Sequence, residues 1–108
     1  SINDAQVTTL SADRASRTSG IPVLANSTYH PYGLDVTEAP VSGSAIVYFD
    51  GRFPEVPSGN IQGPMAYHSL AHNQVLRYDP AVDLATDFLL SGQITDTCSG
   101  ECYFEGTW

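Results

Sequence analysis

From Gly20 onward the apolar positions fall into short runs cut by Pro, Gly, Asn and Asp: IPVLA at 21–25, YGLDV at 32–36, SAIVYFD at 44–50, QVLRY at 74–78, QITDT at 93–97 and ECYFEGTW at 101–108. Runs of this length, rich in Val, Ile, Tyr and Phe and bounded by turn formers, predict β-strands. Several of them in one small chain predict a mainly β domain over residues 21–108, a small sandwich or barrel with one or two short helices. Asp50-Gly51 ends the 44–50 run as a tight-turn pair, since Gly accepts positive φ and Asp hydrogen-bonds its own backbone. Pro54 and Pro57 exclude a central strand directly afterwards and predict an edge or an extended loop.

Two stretches have helical texture. In DPAVDLATDFLLSG, 79–92, Asp79 stands at the N-cap, Pro80 at the first helical position and Gly92 just past the end, while Val82, Ala85, Phe88 and Leu89 share a face. GPMAYHSLAHN, 63–73, predicts a shorter helix that starts at Pro64. Residues 1–20 are different again, with no aromatic and only Ile2, Val7 and Leu10 as large aliphatics among many Ser and Thr. Such a segment buries too little apolar area to offset an ordering entropy of ~1–2 kcal/mol per residue. It reads as an extended, flexible N-terminal arm that orders beside a neighbour; the alternative is a frayed terminus without a role.

The 108-residue chain is 42% hydrophobic and 15% charged, which fits one folded domain. Twelve acids stand against four arginines and no lysine, for a net charge of −8. Such a surface repels phosphate backbones and argues against nucleic acid as a partner. Without lysine, Schiff-base and P-loop lysine chemistry is excluded. No apolar run approaches the ~18–20 residues of a membrane helix, and SINDAQVTTL has neither the basic start nor the apolar centre of a signal peptide. Six of the acids lie in 79–108, a stretch without arginine, and predict an acidic solvated face.

The chemistry-bearing residues are few. His68 and His72 are four apart and would leave one face of a helix; with Cys98 and Cys102 of CSGEC they would supply four zinc ligands. Neither spacing matches zinc-finger turns, and no Glu follows His68 as a metalloprotease helix requires, so no metal and no cofactor is expected. CSGEC reads instead as a disulfide-closed turn, a local clip on the segment that follows and a sign of an oxidising setting. Ser, His and Asp occur without a G-x-S-x-G elbow, and GSA at 43–45 precedes a strand. Asp79, Asp83 and Asp87 recur every four residues, a helix-face pattern unlike the alternating oxygens of a calcium loop. Asn26-Ser27-Thr28 is a glycosylation sequon, meaningful only in a eukaryotic secretory chain. Asp50 and Arg52, flanking Gly51, read as two exposed charges at a structural corner. No catalytic residue is expected, and the chain reads as a protein that is not an enzyme.

Residues 32–56, YGLDVTEAPVSGSAIVYFDGRFPEV, present a Gly-aliphatic strand, a small-residue connection, an apolar strand, then Gly-x-Phe and a Val. This pattern, preceded by a Ser/Thr-rich arm, resembles the small phage head-decoration proteins of the lambdoid type. The cysteines, the histidines and the C-terminal helix depart from it. The resemblance implies a capsid-stabilising protein on the virion surface, a homo-oligomer, as a trimer, bound to a lattice of capsid protein. Its arm would add a strand to the shell, with Ile2, Val7 and Leu10 as the register-setting side chains, and Gly51 and Phe53 would belong to the β core. The rival reading is a secreted, disulfide-clipped β domain acting as an inhibitor, toxin or small hydrolase; a zinc-dependent module is a third.

Overall fold

Thr8 and Gly20 bracket a helix that hydrophobic periodicity does not announce. The computed structural model describes residues 1–4, 6–55 and 65–105, with 65–69 as backbone alone, and places α1 at Thr9–Ser19. The Thr8 hydroxyl accepts from the Ser11 amide as N-cap, and Gly20, at φ 65°, ends the helix in the left-handed region. The amides of Gly20 and Ile21 return to the carbonyls of Arg17 and Ser16, which completes a Schellman cap. Both ends of α1 are therefore satisfied locally, at a site where little apolar area is on offer.

The expected mainly β sandwich or barrel with an extended arm is overturned. Among the described residues, three helices, α1, α2 (Met65–Gln74) and α3 (Asp79–Ser91), carry the regular structure, and a 3-10 turn, Val75–Arg77, joins the last two. That turn occupies the QVLRY run, predicted as a strand. The strands are β1 (Val23–Leu24), β2 (Val36–Thr37), β3 (Val41–Ser42) and β4 (Gln93–Ile94), each two residues long. β1 pairs in parallel with β2, and β3 antiparallel with β4.

The 44–50 run explains why so little sheet forms from strand-like sequence. Its residues change partner at almost every step. Ile46 donates to the Pro22 carbonyl and accepts from Leu24; Tyr48 donates to the Ser27 hydroxyl and accepts from Thr28; Phe49 accepts from Ile2; Asp50 donates to Cys102 and accepts from Phe104. Every backbone group used finds a partner, as burial demands, but no two neighbours extend one ladder. Among the described residues this leaves isolated bridges, Val23 to Ile46 and Asp50 to Tyr103.

The core gathers Phe49, Phe53, Ala71, Cys98, Cys102 and Phe104, with Leu70, Val75, Tyr78, Ala81 and Leu84 packed against it. The Cys98–Cys102 disulfide is formed and belongs to this cluster, Cys102 being fully buried. Gly51 is required here for a reason other than its φ. A Cβ at Gly51 would overlap a ring carbon of Phe53 and one of Phe104. The positive φ of this corner falls on Arg52, at 55°.

α3 has the predicted N-cap shifted by one residue, with Tyr78 as N-cap, Asp79 the first helical residue and Pro80 next, while Gly92 closes the helix where expected, at φ 69°. The side turned inward is not the one its aliphatic residues suggest. Ala81 and Leu84 pack on the core, whereas Val82 is 43%, Phe88 39% and Leu89 81% exposed.

Candidate functional site

The N-terminal segment is fixed to the body through two buried carboxylates. Asp13, on the inner side of α1, accepts from the Tyr48 phenol at 2.7 Å on Oδ1 and from the Tyr29 phenol at 3.1 Å on Oδ2. The two rings meet edge to face with centroids 5.3 Å apart. Burial, then the hydrogen bond to the Asp13 carboxylate, raises the Tyr48 phenol far above its ordinary pKa, and the same causes raise Tyr29. Ser16, also buried, donates to the Ala12 carbonyl within the helix. α1 thus docks by its polar side, and Leu10 is left 56% exposed.

Asp4 is the second anchor. Its Oδ1 accepts from the amides of Gln6 and Val7 at 2.7 and 3.0 Å, and its Oδ2 accepts from Nδ1 of His72 on α2 at 2.8 Å. With both oxygens used and only 4% of its surface exposed, Asp4 fixes the ring; His72 itself is 35% exposed. The Asp4 carboxylate accepts, so Nδ1 of His72 carries a proton in this contact.

Beside this pair lies a cavity of about 270 Å³ walled by Val7, Ala12, Ile46, Val47, Val75 and Leu76. A second depression of about 260 Å³ shares Val75 and Leu76 with it and runs along α3 past Val82, Ala85 and Leu89. The second is an apolar groove along Val75, Leu76 and α3, and the first lies on the other flank of its shared walls. On the helical wheel Asp79 and Asp83 border the α3 half of the groove, beyond Thr86. A larger depression lies at Gln74, Arg77, Tyr78, Phe104 and Glu105.

The expected partner-binding residues separate. Ile2 is half-buried and its amide donates to the Phe49 carbonyl; Val7 lines the cavity, and Leu10 faces outward on α1. They do not form the edge of a free strand. His72 pairs with Asp4, while the His68 side chain lies outside the described residues, as do Pro57 and the start of the 63–73 helix. The disulfide removes both sulfurs from the four-ligand zinc set. Asp50 accepts from the Arg52 amide at 2.7 Å, and the Arg52 guanidinium sits 5.0 Å from the Tyr103 ring centroid. This corner is structural. The Asn26 amide of the sequon donates to Asp96, and Ser27 is buried.

Sequence reasoning missed Asp4, Asp13, Leu76 and Leu89 as site residues. For Leu89 a signal existed in the expected shared face of α3 with Val82, Ala85 and Phe88; Leu76, on the 3-10 turn, had none. No helix among the described residues is long and apolar enough to cross a membrane. Comparison with protein-family models, with curated proteins and with solved structures finds no match.

Proposed function

We propose that the protein is a non-catalytic binding module whose working surface is the apolar groove along Val75, Leu76 and α3. The observation that carries this reading is the outward face of α3. Leu76 is 70% and Leu89 81% exposed in one depression, and full burial of such a side chain stabilises by about 1.5–3 kcal/mol. Apolar groups grouped in a groove, unlike scattered ones, mark a docking surface.

Charge selects the occupant. Asp79 and Asp83 border the groove, and the chain carries a net −8, so a second copy of the same acidic surface is repelled. The complementary partner is an amphipathic protein segment with aliphatic anchors on one face and Lys or Arg along its flank. A capsid lattice is the setting implied by the resemblance of residues 32–56 to decoration proteins. In that setting the groove replaces the arm as the contacting element, because Ile2 and α1 are tied to the core. The disulfide accords with an oxidising setting, at a particle surface or outside a cell.

The test pairs designed helical peptides of equal apolar face and opposite flank charge. The basic peptide is expected to bind, more weakly as salt rises, and to shift resonances of Leu76, Val82 and Leu89; Leu89→Asp is expected to abolish this. Equal binding of the acidic peptide, or no effect of Leu89→Asp, refutes the reading. So does a self-associated state that buries α3, seen by sedimentation of the free protein.

A further inference from the structure

We infer that the Cys98–Cys102 disulfide switches the groove: the closed bond holds α3 against the core with its docking surface set, and a dithiol reductant that opens the bond disengages the partner. The inference rests on the groove being a docking surface. It follows from how residues 93–98 are strapped along α3. Thr95 donates to Oδ2 of Asp87 and Thr97 to the Pro80 carbonyl, each at 2.6 Å. The strap begins in β4, where Ile94 is buried opposite Val41. It ends at Cys98, whose amide donates to Asp96 at 3.0 Å and whose sulfur is bonded to Cys102. Cys102 is fixed in turn, its amide donating to the Asn26 carbonyl and its own carbonyl accepting from the Asp50 amide.

Packing ties the bond to the groove wall as well. Both cysteines belong to the buried cluster against which Val75 and Ala81 pack, and Val75 and Ala81 are also walls of the groove. Opening the bond frees the end of the strap and loosens that packing, so the preformed groove becomes a fraction of the population and the apparent affinity falls by that fraction. The chemistry is thiol–disulfide exchange. Cys98 is the more open of the pair, 7% exposed against 0%, and Ser99, Gly100 and Glu101 between the two are exposed. A thiolate of the reductant attacks the Cys98 sulfur, the bond to Cys102 breaks, and the Cys102 thiolate takes up the proton released. The second thiolate of the reductant then attacks the mixed disulfide. The products are two cysteine thiols and one dithiol oxidised to its own disulfide.

The experiment compares the intact protein before and after reduction by dithiothreitol, following amide exchange, the Leu76, Val82 and Leu89 methyls by NMR, and titration with the basic helical peptide. Reduction is expected to make Leu84 and Ala85 exchange faster than Tyr48, to move the methyls, and to weaken the peptide roughly tenfold, as a competent fraction of about one tenth requires. Reoxidation is expected to restore all three. Unchanged exchange at Leu84 overturns the inference. So does exchange there no faster than at Tyr48, because the bond then acts only on the fold as a whole. Thr95→Val with Thr97→Val unhooks the strap with the disulfide intact and is expected to speed exchange at Leu84 in the oxidised protein; no change there counts against the switch. Equal peptide affinity in the two states sinks this inference alone. Peptide bound in neither state sinks the groove reading, and this inference with it.

Discussion

The phenol of Tyr48 donates a 2.7 Å hydrogen bond to Oδ1 of Asp13, 35 residues earlier in the chain. With Tyr29 on the other oxygen, this contact holds α1 on the body of the protein, where apolar contact alone would not. Asp13→Asn leaves one acceptor oxygen for two phenols and turns an amide toward the other. The expected loss is about 1–3 kcal/mol, read as a lower urea midpoint, with α1 amides exchanging faster than in the parent.

The same pair sets a limit at alkaline pH. Both phenols titrate above their ordinary value near ~10 in the folded state, so below that pH folded and unfolded chains keep the protons equally and the stabilisation is complete. As pH climbs from there toward the raised folded values, only the unfolded chain releases them, and stability declines. Urea midpoints measured across this range are expected to fall with rising pH, and Asp13→Asn is expected to flatten the fall.

Gly51 gives a packing prediction. A methyl group there would overlap the Phe53 and Phe104 rings, whose centroids are 6.0 Å apart. Gly51→Ala is expected to destabilise by about 1–3 kcal/mol through overpacking. An Arg52→Gly change relieves the positive φ and removes the stacking on Tyr103, two effects of opposite sign, so its midpoint is expected to move far less.

Removal of the disulfide by Cys98→Ala with Cys102→Ala opens a loop of sequence separation 4. Loop-closure entropy for so short a ring is about 2 kcal/mol, and the lost sulfur packing beside Phe104 adds to it. Chemical denaturation with and without reductant measures the first part, and the double variant measures the sum.

How much was legible depended on whether a signal was local. The ends of α3 were readable from Asp79, Pro80 and Gly92 because caps act within a turn. The ends of α1 were written in Thr8 and Gly20 in the same way, but the helix between them has one large aliphatic, Leu10, and it points outward. What holds α1 is a carboxylate whose partners, Tyr29 and Tyr48, come from two other segments, and no periodicity encodes that. The apolar 44–50 run has strand composition, yet strand content depends on a partner that persists for several residues, and here the partner changes. For α3, grouping Val82, Ala85, Phe88 and Leu89 on one face was sound. Their exposure followed from Ala81 and Leu84 taking the positions against the buried cluster. The CSGEC disulfide was readable since five residues suffice to specify it.

The shifting partners of residues 46–50 have a kinetic corollary. Ile2, Pro22, Ser27, Cys102 and Phe104 must all arrive before this stretch is fully hydrogen-bonded, so no local opening can release the Tyr48 and Asp50 amides without dissolving contacts from both halves of the polypeptide. Their deuterium uptake should therefore report the global unfolding free energy, while the capped ends of α3 open on their own; uptake at Tyr48 as fast as at Ser91 would show that this convergence does not bind the two halves into one cooperative unit.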